Sequence, residues 1–288
     1  MSITVTDVRY LPGDSAFLID DGKTSVLYDS GFGFTAENIV NNIKNVLGQR
    51  ELDYIFLTHS HYDHALASAY ITARYPNCTV VGGSYADGIF KRPGARATMR
   101  ELDGKFALQC GVSEYEFAAD KLRIDKAVND LDIIRAGDMI FTAIELPGHT
   151  KCSVAYYLES EKLLLSTETP GIYDGDKSIL PSFLVGFEMT MQSIARLKKM
   201  DIKRILMPHV GLLDEKQTSY YLSVTEETNK CYAELIAEKL KCGMSEEDLT
   251  EYFIKTYRKG YFEEIYPTDA MRLNTSIMIR LIKNEFSI

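Results

Sequence analysis

The stretch from His59 to His64 places three histidines and an aspartate within six positions, in a chain of 288 residues that holds only five histidines. Imidazole nitrogen is the commonest protein ligand for a metal ion, and side chains two apart in a tight loop leaving a strand point at one ion, as His59 and His61 do. A catalytic metal takes three protein ligands and keeps a fourth position open, so a third nitrogen must come from elsewhere in the chain. Asp63 and His64 point away from that ion, toward a neighbour. The two remaining histidines, in Pro147-Gly148-His149 and Pro208-His209, stand beside residues that set tight loop geometry. A His-x-His-x-Asp-His run arises by chance in such a chain on the order of once in ten thousand, so the group is not a set of ordinary surface or core histidines.

Every one of these histidines follows a segment that reads as a strand. Residues 3 to 30 alternate apolar and polar residues, with Asp21-Gly22 as a hairpin turn. Thr35 is the expected cap of a helix whose face is Ile39, Val40, Ile43, Val46 and Leu47. Tyr54 to Leu57 is a short buried strand that delivers the histidine cluster. A helix ending at Pro76 and a strand around Thr79 to Gly83 follow. Residues 84–127 read as a largely helical insertion or lid bearing Lys91, Arg92, Arg96 and Arg100. The β pattern resumes near residue 128, with turns at Gly137 and near Ser160, a helix over 188–199 and a strand ending at His209. From about Asp214 the pattern turns helical: Tyr221, Val224, Thr228, Cys231 and Leu235 fall at helical spacing. Ser245 and Asp248 are spaced as a capping box, Gly260 is the expected end of a second helix, and a third covers Thr268 to Glu285. The domain expectation is a catalytic unit over 1–213 with a helical extension over 214–288 packed on it.

Composition narrows the functional classes. A hydrophobic content of 45% fills a large core, and a net charge of −9 argues against a surface that holds nucleic acid. The first residues lack a basic and then apolar leader, and no long apolar run is present, which sets the expectation of a cytoplasmic protein with no membrane partner. Five scattered cysteines without CxxC spacing are read as reduced, buried small hydrophobes. The sequence carries no signal for an oligomeric state.

His59-x-His61-x-Asp63-His64, followed in order by Pro147-Gly148-His149, a strand-end carboxylate and Pro208-His209, resembles the metallo-β-lactamase superfamily of dinuclear metallohydrolases over about residues 3 to 211. The resemblance implies an α/β fold, an αββα four-layer sandwich, with the C-terminal helices as an appendage. It implies one metal on His59, His61 and His149, a second on Asp63, His64 and His209, and a bridging carboxylate. The family usually supplies an aspartate for that bridge; here the strand end reads Leu163-Leu-Leu-Ser-Thr-Glu168, so Glu168 is the candidate, with Asp174 and Asp176 as rivals better suited to a turn around Gly175. Asp29 matches a position that supports the metal-binding loop through hydrogen bonds, and Lys91, Arg92, Arg96 and Arg100 are candidate contacts for an anionic group of a substrate.

Two divalent cations of this kind imply a hydrolase in which a metal-bridging hydroxide cleaves an ester, thioester, lactone, amide or phosphoester bond of a small molecule, with Asp63 orienting the hydroxide. Histidine and carboxylate ligands suit zinc first, with iron and manganese as alternatives. Two other classes are weighed: a di-iron redox enzyme, which the histidine at position 61 and the lack of a flavin module disfavour, and a metal-binding signalling protein that acts through its helical tail.

Overall fold

The computed structural model describes residues 3–118 and 121–288. Two six-stranded sheets stack face to face. The first runs in chain order: β1 (Thr4–Asp7), β2 (Phe17–Asp20), β3 (Ser25–Tyr28), β4 (Tyr54–Leu57), β5 (Thr79–Gly83) and β6 (Lys126–Val128), antiparallel up to β3 and parallel from there. The second has the order β14 (Gly211–Leu213), β13 (Arg204–Met207), β10 (Leu163–Leu165), β9 (Val154–Leu158), β8 (Met139–Glu145), β7 (Ile133–Ala136), with only β10 and β13 parallel.

The period-two alternation of a strand sorts the side chains into layers. Phe17, Ile19, Val26, Tyr28 and Phe56 face Phe141, Val154, Tyr156, Leu158 and Leu206 between the sheets, and the Phe56 ring lies 5.0 Å from Phe141 and 4.7 Å from Tyr156. Their neighbours Leu18, Leu27, Ile55 and Leu57 point the other way, into helices α1 (Ala36–Leu47) and α3 (Ala67–Arg74). On the opposite side, Ile144, Ala155, Leu164, Ile205 and Met207 meet α6 (Phe187–Leu197) and α7 (Glu215–Lys241). Helix, sheet, sheet, helix is the four-layer order expected.

The C-terminal helices α7, α8 (Glu246–Tyr257), α9 (Tyr261–Ile265) and α10 (Thr268–Glu285) enclose two further apolar clusters. In these, Phe183 joins Tyr232, Phe253, Ile279 and Ile282, and Ile172 and Leu180 of the hairpin β11 (Ile172–Tyr173) and β12 (Ile179–Leu180) join Phe262, Ile265 and Met271. The extension is therefore seated on the loop that follows β10. Among the described residues, no helix is long and apolar enough to cross a membrane.

Several local expectations are corrected. Thr35 precedes α1, but its hydroxyl donates to Asp14 and to the Phe32 carbonyl instead of capping the helix, and Val46 is 40% exposed because it lies off the buried stripe of Ile39, Ile43 and Leu47. Among the described residues of 84–127, α-helix is confined to α4 (Ser84–Phe90) and α5 (Pro93–Gln109), and Lys126 and Ala127 belong to β6, which pairs with β5 at the sheet edge. The buried face of α7 runs through Tyr221, Thr225, Asn229 and Ile236, because Thr225 and Asn229 donate to the Pro170 carbonyl; Cys231 faces solvent. Only Cys78 and Cys152 are buried, while Cys110, Cys231 and Cys242 are exposed. Gly260 does not end α8, which stops at Tyr257, but opens α9. Ser245 caps α8 as expected, accepting from the Asp248 amide at 3.0 Å.

Phe56→Ala, which empties the space between the sheets, is expected to cost about 3–5 kcal/mol, and Val46→Ala to stay within about 0.5 kcal/mol. Urea denaturation of the two variants checks the inter-sheet packing as the main source of stability.

Candidate metal centre

All five histidines arrive at one edge of the sandwich, where the strands of both sheets end. Residues after β4 carry His59 and His61, and the short helix α2 (Tyr62–Ala65) turns Asp63 and His64 toward the loops of the second sheet. His149 follows β8, Glu168 follows β10 and His209 follows β13. His59, His61 and His149 form one group, and Asp63, His64, Glu168 and His209 a second; within each, the ligand atoms lie within 4.8 Å of one another. Ring centroids of neighbouring histidines are 4.0 to 4.9 Å apart.

The hydrogen bonds on the far side of each ring fix which nitrogen faces inward. His149 Nδ1 lies 2.9 Å from the Ser182 carbonyl, His209 Nδ1 2.9 Å from the Gly13 carbonyl, and His64 Nδ1 2.7 Å from Asp29 Oδ2. Each partner is an acceptor, so Nδ1 carries a proton, and Nε2, which faces Glu168, is the nitrogen left to meet a cation. Thr58 completes the pattern: its hydroxyl has one proton, which goes to Asp29, so toward His59 Nδ1, 3.0 Å away, it accepts. His59 Nε2 is thereby left a lone pair, and it is buried with no partner. A buried acceptor without a donor is costly, and a cation between His59, His61 and His149 removes that cost. His61 Nδ1 and His149 Nε2 lie 3.0 Å apart, facing the same point. The donor set fits a divalent cation at each group.

Charge follows the same design. Burial holds His61 and His149 down to about 4, and His59 well below its usual value, so all three stay unprotonated at neutral pH. Burial pulls His64 down too, but Asp63 and then Asp29 outweigh it and raise it. For Glu168 burial pushes upward, and the charges and hydrogen bonds of His149, His209 and His64 carry it well below the carboxylate range.

Glu168 is 3% exposed and spans the two groups. Its Oε2 lies 3.0 Å from His149 Nε2, and its Oε1 lies 2.6 Å from His209 Nε2 and 3.3 Å from His64 Nε2. The extra methylene of glutamate is thus used to set one oxygen against each group. Asp174 instead accepts from the amides of residues 176, 177 and 178, and so serves the turn. Asp63 Oδ2 stands 3.6 Å from His64 Nε2 and 3.8 Å from His209 Nε2. It is half-buried, as are His61 and Tyr62, so the site opens on this side.

Asp29 lies under the segment that leads into the histidine cluster. It is buried, with φ 53°, and accepts from the Thr58 amide at 2.8 Å, the Ser15 hydroxyl at 2.9 Å and His64. The basic cluster does not join the histidines: Lys91 pairs with Asp87, Arg96 donates to the Phe90 carbonyl, Arg100 lies over the Phe117 ring and Arg92 is exposed. Gly148 has φ 143°, and a Cβ there would meet Thr190 Oγ1 at 2.2 Å, so the loop that presents His149 has room only for glycine.

Supporting residues with no signal in the sequence include Ser15, Ser182 and the Gly13 carbonyl; Thr58, directly before the motif, is the one that adjacency pointed to. His209 sits at φ 63°, and its carbonyl accepts from both Arg9 Nη1 and Tyr261 Oη, the latter at 2.6 Å.

A sequence model of the metallo-beta-lactamase superfamily matches residues 12–209. Among curated relatives, glyoxylase B2 of Dictyostelium discoideum is 24% identical over 163 residues, covering 53% of this chain and 50% of that protein. A probable hydroxyacylglutathione hydrolase of Schizosaccharomyces pombe is 26% identical over 167 residues, covering 56% and 50%. The chain thus spans about half the length of these curated relatives. In fold it is similar to an archaeal metallo-beta-lactamase superfamily protein from Sulfolobus tokodaii, with TM-score 0.62, 18% identity and 98% of each chain covered.

Asp29→Asn exchanges an acceptor oxygen for an amide facing the donors Thr58, Ser15 and His64. Chelator competition is expected to show divalent-cation affinity reduced roughly 10- to 100-fold, as when a group orienting a metal ligand is removed.

Proposed function

This chain belongs to the metallo-β-lactamase superfamily, and from that premise we propose that it is a dinuclear metal-dependent hydrolase of a small-molecule ester or thioester. The observation that carries the reading is the set of imidazole nitrogens turned inward by partners on their far sides, with His59 Nε2 buried and partnerless among them. His59, His61 and His149 would hold one cation, and Asp63, His64 and His209 the other, with Glu168 between them. Five nitrogens and two carboxylates with no thiolate make zinc the first candidate, ahead of iron or manganese. Residues 1–213 form the catalytic unit in this reading, and 214–288 an extension seated on it.

Bound there, two divalent cations supply Lewis acidity, which lowers the pKa of water toward neutrality and polarises a substrate carbonyl. The chain supplies the rest. Asp63 is the carboxylate at the open face, placed to take a proton from the attacking water and return it to the leaving atom. Glu168, His64 and Asp29 form a buried run in which each imidazole or carboxylate is fixed by the next, so the geometry is set before substrate arrives. A relative named as a hydroxyacylglutathione hydrolase makes thioesters the first substrates to try.

On p-nitrophenyl acetate and a panel of thioesters, followed spectrophotometrically, the zinc-loaded protein is expected to turn over, and chelation to abolish turnover until zinc is restored. Asp63→Ala is expected to lose roughly 10²- to 10⁴-fold in kcat, the range of general acid–base catalysis. Activity that survives chelation and His61→Ala would contradict the reading.

A further inference from the structure

The C-terminal extension touches the metal centre through one short segment around α9. Tyr261 donates from its hydroxyl to the His209 carbonyl at 2.6 Å, and Arg9 Nη1 donates to the same carbonyl and lies 3.2 Å from the Tyr261 oxygen. These two donors meet the one peptide of the site that is held in the left-handed region without being glycine or an acidic residue, at φ 63°. Such backbone costs free energy and persists only where the surroundings impose it. Five residues later, Tyr266 accepts at its hydroxyl from Asn274 Nδ2 of α10 at 2.5 Å. That bond ties the segment around α9 to α10. The segment itself is braced, since Arg258 Nε donates to the Tyr266 carbonyl at 3.0 Å and Arg258 Nη2 to the Glu263 carbonyl at 2.9 Å.

We propose that the segment 260–267 is a clamp on the metal centre: Tyr261 positions His209, and Tyr266, tied by Asn274 to α10, holds the segment that carries Tyr261. Cation binding and seating of the extension are then coupled, and by reciprocity each strengthens the other. The extension is part of the site in this account, not a separate module. The inference rests on the reading that the two groups hold cations.

The test is zinc titration of the full chain against a chromophoric chelator, comparing wild type, Tyr261→Phe, Tyr266→Phe, the double variant and Tyr252→Phe as a control on the exposed face of α8. Tyr261→Phe is expected to weaken one of two binding steps roughly tenfold or more, Tyr266→Phe and the double variant the same step, and Tyr252→Phe neither. Hydrogen exchange on the wild type gives a readout independent of substitution: amides of 260–285 should become better protected when zinc binds. Phe variants that bind zinc as the wild type does, a control that weakens binding as much as they do, or exchange in 260–285 unchanged by zinc would each overturn the clamp. Two zinc ions bound by the wild type with unaltered Phe variants would leave the metallohydrolase reading standing, whereas a wild type that takes up no zinc ends both.

Discussion

Imidazole lone pairs aimed at a common point are the constraint on which this structure depends. Neutral rings in that arrangement repel through their lone pairs, and protonated rings would repel as like charges in a buried space where solvent does not screen them. The chain removes the freedom to escape by flipping tautomers: Ser182, Gly13, Asp29 and Thr58 each engage the far nitrogen of one ring. A cation at each group would resolve the conflict, and Glu168, with one oxygen toward each group, would balance the charge.

The sandwich exists, from the viewpoint of this edge, to bring strand ends together. Alternating apolar residues glue two sheets face to face, so that loops far apart in sequence open at one rim. His59 and His209 are 150 positions apart, yet His209 and Glu168 both contact the group that His64 helps to build. Rigidity at the rim comes from backbone that only special residues allow, as at Gly148, or that hydrogen bonds enforce, as at His209. The C-terminal extension adds a last restraint, through the Tyr261 hydroxyl on the His209 carbonyl.

Much of the site was legible because its ligands are written as adjacent letters at strand ends: the cluster from His59 to His64, Pro147-Gly148-His149 and Pro208-His209. Glu168 was a candidate because the resemblance asks for a carboxylate at that strand end, and its two oxygens lie against His149 and His209. What stayed hidden depends on contacts across long sequence separation. A carbonyl such as that of Gly13 has no sequence signature, and nothing in the type or spacing of Tyr261 says that it bonds the His209 carbonyl. Errors in the elements have the same origin. Val46 and Cys231 match helical spacing but fall just off the stripe that packing selects, because Thr225 and Asn229 find a carbonyl to bond and draw α7 onto that face. Thr35 is a good cap by type, but buried Asp14 competes for its hydroxyl and wins.

The most direct measurement is anomalous X-ray scattering from crystals of the protein grown with zinc. The account predicts two ordered peaks per chain, one enclosed by His59, His61 and His149 and the other by Asp63, His64 and His209, with Glu168 between them. Diffraction at full zinc saturation that shows no peak between these residues, or shows the five imidazoles hydrogen-bonded to one another around empty space, would contradict it.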